Sequence, residues 1–220
     1  GVENGKQEII VCENNFHGRT IAIISFSTDP DARINYGPYC PGFKIIPYGD
    51  AEALEAAITP NTVAFMAEPI QGEAGIIVPP AGYLTKVREI CTKHNILFMA
   101  DEVQTGFART GRMFACNFEN VEPDIFIMGK ALGGGIMPVS AIAANKDILG
   151  LYPPGTHGST FGGNPLGCAV AIKAMEILVR DNYPKLAEEK GEYFMKKLRE
   201  IDNDDIIEVR GKGLLIGVEF

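Results

Sequence analysis

The sequence predicts an α/β fold, in which a mostly parallel β-sheet is flanked by helices. Two observations support this prediction: short apolar runs recur along the chain, and segments with helical periodicity separate several of them. The runs are continuously apolar and do not alternate with polar residues, which is typical of strands covered on both faces. The predicted strands lie at 7–13, 43–48, 63–70, 96–103, 124–129 and 139–144.

Four helices are predicted between and after these strands, at 50–58, 81–95, 164–182 and 184–201. The first begins with Asp50, a residue type that caps helix N-termini, and the third opens with Asn164 and Pro165, a favourable helix start. The second helix places four apolar side chains on one face, namely Leu84, Val87, Ile90 and Cys91. This alternation of strands and helices is typical of βαβ units.

The pattern of the chain changes near residue 182. The segment 206–220 has a strand–turn–strand pattern instead of a βαβ pattern. We therefore expect residues 1–181 to be part of a large ligand-binding domain and residues 182–220 to begin a smaller α+β domain. Because the chain begins with Gly1 and ends within a strand pattern at Phe220, we also expect it to be an internal piece of a longer protein.

The composition excludes several classes of function. The net charge is −8, which argues against a surface for nucleic acid or for anionic membranes. No apolar run approaches the roughly 20 residues that a membrane-spanning helix needs. The cysteines are odd in number and scattered, which predicts reduced thiols in a reducing compartment, the cytoplasm or, in a eukaryote, the mitochondrial matrix. They are Cys12, Cys40, Cys91, Cys116 and Cys168.

Ionisable residues stand where three predicted strands end. Glu68 stands near the end of the third predicted strand, Asp101 and Glu102 stand near the end of the fourth, and Lys130 directly follows the fifth. In α/β sheets, ligands collect at the carboxyl ends of the strands. Strand alternation turns Glu102 to the face opposite Asp101. The sequence therefore predicts that Glu68, Asp101 and Lys130 meet at one edge of the sheet.

Lys130 and Asp101 each allow two interpretations. Lys130 is either a solvated loop lysine or, because its neighbours are apolar and glycine-rich, a partly desolvated amine. Desolvation favours the neutral form of an amine, which is the nucleophile. Asp101 is either a helix cap or surface acid, or a carboxylate that keeps the ring nitrogen of a pyridine cofactor protonated.

Three other features carry less information. The segment 106–113 has the glycine spacing of a Walker A loop but has Arg112 and Met113 where the lysine and hydroxyl belong, so we reject that motif. The three histidines share no metal-binding spacing, which predicts no metal site. The Gly/Ser/Thr-rich segment 157–167 is either an ordinary loop with a helix cap or a phosphate site.

Five blocks in order along the chain resemble the class III aminotransferases. They are "NFHGRT" (15–20), "EPIQGEAG" (68–75), "ADEVQTGFARTGR" (100–112), "GKALGGG" (129–135) and "HGSTFGGNPLG" (157–167). The resemblance implies a fold type I transferase that depends on pyridoxal 5′-phosphate. It also implies that the family's main phosphate loop lies before Gly1 and that an arginine pairing with Glu73 lies after Phe220.

The resemblance assigns cofactor roles to five residues. Lys130 matches the catalytic lysine that holds pyridoxal phosphate covalently. Asp101 matches the partner of the pyridine nitrogen, Phe16 and Val103 match the residues on either side of the ring, and Gln104 matches the contact to the ring's phenolic oxygen.

Three further residues gain roles from the resemblance. Thr160 matches a phosphate ligand that comes from the other subunit, which implies a homodimer or higher homo-oligomer with shared sites. Arg19 matches the residue that pairs with the substrate's α-carboxylate, and Glu73 matches the acid that pairs with the arginine after Phe220. His17 receives no role.

The activity implied by the resemblance is transfer of an amino group from an amino acid to a 2-oxo acid. Within the family, the blocks are most similar to members that move the δ-amino group of L-ornithine to 2-oxoglutarate. Members that act on acetylornithine or 4-aminobutyrate remain an alternative, since they share Lys130 and Asp101. A scaffold that keeps the fold as a dimer without activity is the non-enzyme alternative.

Overall fold

The computed structural model describes residues 7–220, so residues 1–6 of the predicted first domain lie outside the description. The strands are β1 Glu8–Cys12, β2 Phe43–Ile46, β3 Thr62–Ala67, β4 Leu97–Asp101, β5 Ile125–Met128, β6 Ala141–Ala144, β7 Glu208–Lys212 and β8 Leu215–Glu219. The α-helices are α1 Ile21–Ile24, α2 Pro30–Arg33, α3 Ala51–Ala57, α4 Tyr83–His94, α5 Lys146–Leu149, α6 Pro165–Arg180 and α7 Tyr183–Arg199. Short 3₁₀-helices lie at Ala115–Glu119 and Lys130–Gly133.

The main sheet confirms the predicted α/β fold. Its six strands lie in the order β2-β1-β3-β4-β5-β6, and all neighbours are parallel except β5 and β6, which are antiparallel. Every predicted strand and all four predicted helices are present, with ends shifted by up to three residues. The sheet therefore carries the carboxyl ends of β3, β4 and β5 side by side.

The helix boundaries follow the predicted capping residues. Asp50 Oδ1 accepts a hydrogen bond from the Ala53 amide at 2.8 Å, so it caps α3. Asn164 Oδ1 accepts one from the Gly167 amide at 2.7 Å, and Pro165 is the first residue of α6. These bonds satisfy amides that would otherwise lack partners at the helix starts.

Helices cover the centre of the sheet and leave its edge more open. On one face, α3 and α4 pack on the strands around Phe65, Phe98 and Val87, each fully buried. The other face has a smaller cluster around Phe26. The expectation of strands covered on both faces is wrong for β6 within residues 7–220, because β6 is an edge strand and Ile142 is 53% exposed.

The C-terminal strands form a second, separate sheet. β7 and β8 pair as an antiparallel hairpin, and α7 packs on it. The hairpin turn lies so close to α7 that a Cβ added to Gly191 would be 1.9 Å from the Gly213 carbonyl oxygen. The strand–turn–strand prediction is confirmed, while the domain boundary at 181/182 stays a prediction.

No helix among residues 7–220 is long and apolar enough to cross a membrane.

Candidate active site

Three neighbouring strands bring ionisable side chains to one edge of the sheet. Glu68 follows β3, Asp101 ends β4, and Lys130 stands two residues after β5. Because these strands are parallel and adjacent, their carboxyl ends lie together. All three side chains line one cleft of about 130 Å³, so the structure brings together residues that are far apart in sequence.

Most of the predicted site residues line this cleft. Its other walls are Phe16, His17, Gly18, Glu73, Val103, Gln104 and Ile127. Phe16 and His17 lie on the loop after β1, Glu73 lies on the loop after β3, and Val103 and Gln104 follow β4. The cleft is thus built from loops that follow adjacent strands.

Asp101 is held by two donors. The side chain is buried, and its Oδ2 lies 2.7 Å from Nδ1 of His17. Its Oδ1 accepts a hydrogen bond from the Val103 amide at 3.0 Å. Hydrogen bonds to a carboxylate oxygen are stronger than neutral ones, so these two partners fix the orientation of the carboxylate in the cleft.

His17 is a site residue to which the sequence assigned no role. Its side chain is only 2% exposed. The centroid of its ring lies 5.9 Å from the centroid of the Phe26 ring. A carboxylate only accepts, so Nδ1 carries the proton in the bond to Asp101. The other nitrogen, Nε2, is buried and has no hydrogen-bond partner among residues 7–220. In the sequence, His17 directly follows the predicted site residue Phe16, and this adjacency could have indicated a role in the site.

Glu68 ties two loops of the cleft together. Its Oε1 accepts a hydrogen bond from the Phe16 amide at 2.9 Å, and its Oε2 accepts one from the Gly72 amide at 3.0 Å. Burial of the side chain raises the pKa of Glu68 above its usual range, and the two amide bonds oppose that rise. The residue predicted only as a strand-end acid therefore sets the distance between the Phe16 loop and the loop of Glu73.

Gln104 and Glu73 are hydrogen-bonded across the cleft. Gln104 Nε2 donates to Glu73 Oε1 at 3.1 Å, and Gln104 Oε1 is buried without a partner among residues 7–220. The amide of Gln104 lies directly on Gly72: a Cβ there would be 1.3 Å from Gln104 Oε1. Position 72 therefore needs glycine for Gln104 to occupy this place.

Lys130 stands at the mouth of the cleft. Its φ is 43°, in the left-handed region that non-glycine residues seldom adopt, and it begins a 3₁₀-helix. Residues 7–220 leave Lys130 exposed, so they do not bury its amine, and the interpretation of a partly desolvated amine stays a prediction. The residue before Lys130, Gly129, is extended, and the strand β5 that precedes both is itself only partly buried. Lys130 also lines an adjoining cavity of about 1070 Å³.

Glu102 points away from the cleft, as strand alternation predicts. It is fully buried and accepts hydrogen bonds from the Thr105 hydroxyl and from the amides of Ala115 and Cys116. Burial raises its pKa, while these donors oppose the rise. Glu102 thus holds the 3₁₀-helix at 115–119 against the sheet and takes no part in the cleft.

Two predicted site residues do not line the cleft. Arg19 is exposed, and its guanidinium carbon lies 5.4 Å from the centroid of the Phe16 ring, so it adjoins a cleft residue. Thr160 is exposed in the loop between α5 and α6. In that loop Asn164 acts as a helix cap, which supports the ordinary interpretation for that part of 157–167.

Across residues 7–220 we find no group of three or more His, Cys, Asp or Glu side chains that could hold a metal ion. The acids of the cleft are instead bonded to amides, to His17 or to Gln104.

Comparison with known families gives a match over almost the whole chain. The family model described as "Aminotransferase class-III" matches residues 2–220. A protein from Geobacillus sp. (strain WCH70) named ornithine aminotransferase is 59% identical over 220 residues, which are all of this chain and 55% of the relative. Another of that name, from Brevibacillus brevis, is 60% identical over 219 residues, with the same shares. The chain thus spans about half the length of the curated relatives it matches.

Solved structures show the same architecture. The ornithine aminotransferase from Toxoplasma gondii ME49 superposes with a TM-score of 0.95 at 46% identity, over 97% of this chain and 52% of that one. The acetylornithine aminotransferase from Elizabethkingia anophelis superposes with a TM-score of 0.84 at 52% identity, over 97% and 53%.

Proposed function

The chain belongs to the class III aminotransferases, and on that basis we propose that the intact protein is an ornithine δ-aminotransferase. It moves the δ-amino group of L-ornithine to 2-oxoglutarate and yields glutamate semialdehyde and glutamate. The observation that carries this proposal is the cleft in which Lys130, Asp101 and Gln104 come together at the ends of parallel strands. The two curated relatives at 59% and 60% identity favour ornithine as the donor.

The cleft residues fit pyridoxal 5′-phosphate. Asp101 offers a fixed carboxylate for a pyridine nitrogen, and Gln104 Oε1 is a buried polar atom with no partner among the described residues. Phe16 and Val103 line the same cleft and would contact the two faces of the ring, and Lys130 would hold the cofactor covalently. When bound, the protonated pyridine ring withdraws electrons from the substrate carbon whose proton is removed.

Lys130 acts as the general acid and base of the reaction. Lys130 lines both the cleft and the larger adjoining cavity, so its Nζ would have room to reach the substrate. Nζ would take a proton from the substrate carbon as a base and would donate it to the cofactor as an acid. Positioned proton transfer of this kind contributes typically about 10²–10⁴-fold in rate.

Arg19 and Glu73 determine which amine is presented. Arg19 pairs with the α-carboxylate of ornithine, and its guanidinium suits bidentate binding and leaves the δ-amine free to react. Glu73 is exposed at the cleft. There it neutralises the arginine expected after Phe220, which would otherwise bind α-carboxylates in the first half-reaction. The ordinary alternative is that Glu73 is a loop acid with a structural role only.

The same proposal includes the assembly and the setting of the protein. The active unit is a homodimer or a higher homo-oligomer, with Thr160 reaching the phosphate of the neighbouring subunit's cofactor. Its position outside the cleft of its own chain agrees with a role in another subunit. Residues 1–181 belong to the large domain and 182–220 begin the small one. The five free cysteines suit a reducing compartment, the cytoplasm or the mitochondrial matrix.

Acetylornithine aminotransferase is the second candidate, because the Elizabethkingia anophelis protein of that name is 52% identical. A panel of amino donors, with the product aldehyde measured for each, separates the candidates. We expect ornithine to give the highest kcat/KM. A higher kcat/KM with acetylornithine or 4-aminobutyrate contradicts the proposal.

The non-enzyme alternative is tested by absorbance. The active protein has a visible cofactor band that borohydride abolishes, and Lys130→Ala lacks that band. A protein that binds no cofactor and turns over no donor is a scaffold.

A further inference from the structure

The loop that carries Glu73 is a closed turn, here called the 71–77 loop. The backbone groups of Gln71 and Ile77 exchange two hydrogen bonds, of 3.1 and 2.9 Å. Within the turn, the amides of Gly75 and Ile76 both donate to the Gly72 carbonyl, at 3.0 and 3.1 Å. Glu73 therefore lies on a segment whose conformation is set by backbone bonds.

This loop contains a conformation that is unfavourable for its residue. Ile76 has a φ of 59°, in the left-handed region, where a β-branched side chain is an outlier. Such conformations persist only where the surroundings enforce them, and they occur often at functional sites. Some part of the structure must therefore hold the turn between Gly75 and Ile77.

Arg210 of β7 is the side chain that holds it. Its Nε donates to the carbonyls of Gly75 and Ile76, at 3.0 and 3.2 Å, and its Nη2 donates to the Gly75 carbonyl at 2.8 Å. Its Nη1 bonds to Glu208 at 2.7 Å and to Glu219, so the guanidinium is anchored on both strands of the hairpin. The Arg210 side chain is only 18% exposed. All three guanidinium nitrogens thus take part in one bridge from hairpin to loop.

The hairpin backbone also lies against the loop. A Cβ added to Gly217 would be 3.1 Å from the Gly75 carbonyl oxygen and 3.2 Å from Ile76 Cβ. The loop is thus confined on one side by β8 and on the other by Glu68, which accepts the Gly72 amide.

We propose that Arg210 is a positioning residue that sets Glu73 in the cleft and so governs which amino donor the site accepts. It acts through the 71–77 loop, since its bonds keep the turn in the conformation from which Glu73 accepts the hydrogen bond of Gln104. This inference rests on the proposed function for its effect on donors. The effect on the loop itself does not depend on that function.

The test compares Arg210→Ala and Arg210→Lys with Arg199→Ala in the intact protein. Arg199 is a matched control: its Nη2 donates to the Val209 carbonyl at 2.9 Å, so it supports the same hairpin without touching the loop. Lysine has no planar fork of donors and replaces only part of the Arg210 bridge. It also provides a second variant should Arg210→Ala fold poorly.

The first measurement is amide hydrogen exchange in residues 71–77. We expect exchange to rise at least about tenfold in Arg210→Ala, less in Arg210→Lys, and to stay unchanged in Arg199→Ala. Exchange in the loop that is unaffected by both Arg210 variants overturns the inference, whether or not the protein transfers amino groups.

The second measurement is a double-mutant cycle with Glu73→Ala, read as the ratio of kcat/KM for ornithine to kcat/KM for glutamate. If Arg210 acts through Glu73, Arg210→Ala changes this ratio in the same direction as Glu73→Ala and adds nothing when Glu73 is already replaced. The role in donor choice is overturned if Arg210→Ala leaves the ratio unchanged. It is also overturned if the effects of Arg210→Ala and Glu73→Ala on the ratio are fully additive in the double variant. Absence of any transferase activity in the unsubstituted protein contradicts the proposed function instead, and the exchange data then decide on Arg210 alone.

Discussion

His17 Nδ1 lies 2.7 Å from Asp101 Oδ2, and the two residues are 84 positions apart in the chain. The loop after β1 thus supplies a buried donor to the carboxylate at the end of β4. The remaining Asp101 oxygen is bonded to the Val103 amide, so His17 is one of two groups that set the carboxylate's orientation.

We predict that replacing His17 weakens the hold on Asp101. In His17→Ala, a buried carboxylate loses one donor, which costs about 1–3 kcal/mol, so we expect cofactor affinity to fall roughly 5–150-fold. In His17→Asn, the side-chain amide keeps a donor near Nδ1 and should restore part of the loss. Cofactor titration followed by absorbance measures both variants.

His94 offers the control for that experiment. It is the last residue of α4 and is partly exposed, and its Nε2 lies 3.4 Å from Oε1 of Glu55 in α3. His94→Ala should leave cofactor affinity unchanged. Equal losses in His17→Ala and His94→Ala would show that the effect does not come from Asp101.

We predict that Lys130 carries the cofactor. After borohydride reduction, peptide mapping should find the pyridoxyl group on Lys130, and Lys130→Ala should lose activity by about 10²–10⁴-fold or more. The variant should still fold, because the side chain is exposed at the cleft mouth and fills no core space. Lys146→Ala is the matched control at an exposed lysine. A label on Lys146 or on another lysine contradicts the assignment.

We predict that Gly72→Ala disables the cleft while the fold remains. The added Cβ overlaps Gln104 Oε1, and the flexible Gln104 side chain must move away, which breaks its bond to Glu73. Loss of a hydrogen bond to a charged group is worth about 1.5–3 kcal/mol, so we expect activity to fall roughly 10–100-fold with little change in Tm. An unchanged kcat/KM in Gly72→Ala would contradict the prediction.

We predict a pH-dependent contribution of Glu68 to stability. Burial raises the pKa of Glu68 in the folded protein above its unfolded value of about 4.3, so the native state binds the proton more strongly. The stabilisation by Glu68 is therefore fully present below the unfolded pKa and is lost as pH rises through the folded pKa. Glu68→Gln removes this titration.

Denaturant unfolding at several pH values measures that contribution. The free energy of unfolding of the unsubstituted protein should fall, relative to Glu68→Gln, as pH increases from about 4 through the raised pKa. Parallel pH profiles for the two proteins would exclude a raised pKa for Glu68.

We predict that Thr160 completes the site of a neighbouring subunit. Lys130→Ala and Thr160→Ala chains are each expected to be impaired alone. In a mixed dimer, one site keeps both residues if Thr160 acts across the interface, so activity should return after subunit exchange. No recovery, with exchange verified by differently tagged chains, would place Thr160 in its own chain's site or outside any site.

The sequence by itself determined the elements of the fold and the identity of the strands that end at the cleft. Continuous apolar runs and helical periodicity are local signals, and they predicted every strand of the main sheet and helices α3, α4, α6 and α7. Because ligands collect at the carboxyl ends of parallel strands, Glu68, Asp101 and Lys130 could be predicted to meet, although the strand order was not predicted. The resemblance to the family added the roles of Phe16, Val103 and Gln104.

Only the tertiary structure decided how these residues are held. His17 meets Asp101, Glu68 bonds the amides of Phe16 and Gly72, and Arg210 reaches Gly75 across 135 positions. Such pairs depend on how separate loops and the C-terminal hairpin pack, and no local periodicity encodes that packing. The exposure of Lys130 among residues 7–220 was decided in the same way, because it depends on what packs across the cleft, whereas apolar neighbours in the sequence describe only the strand before it.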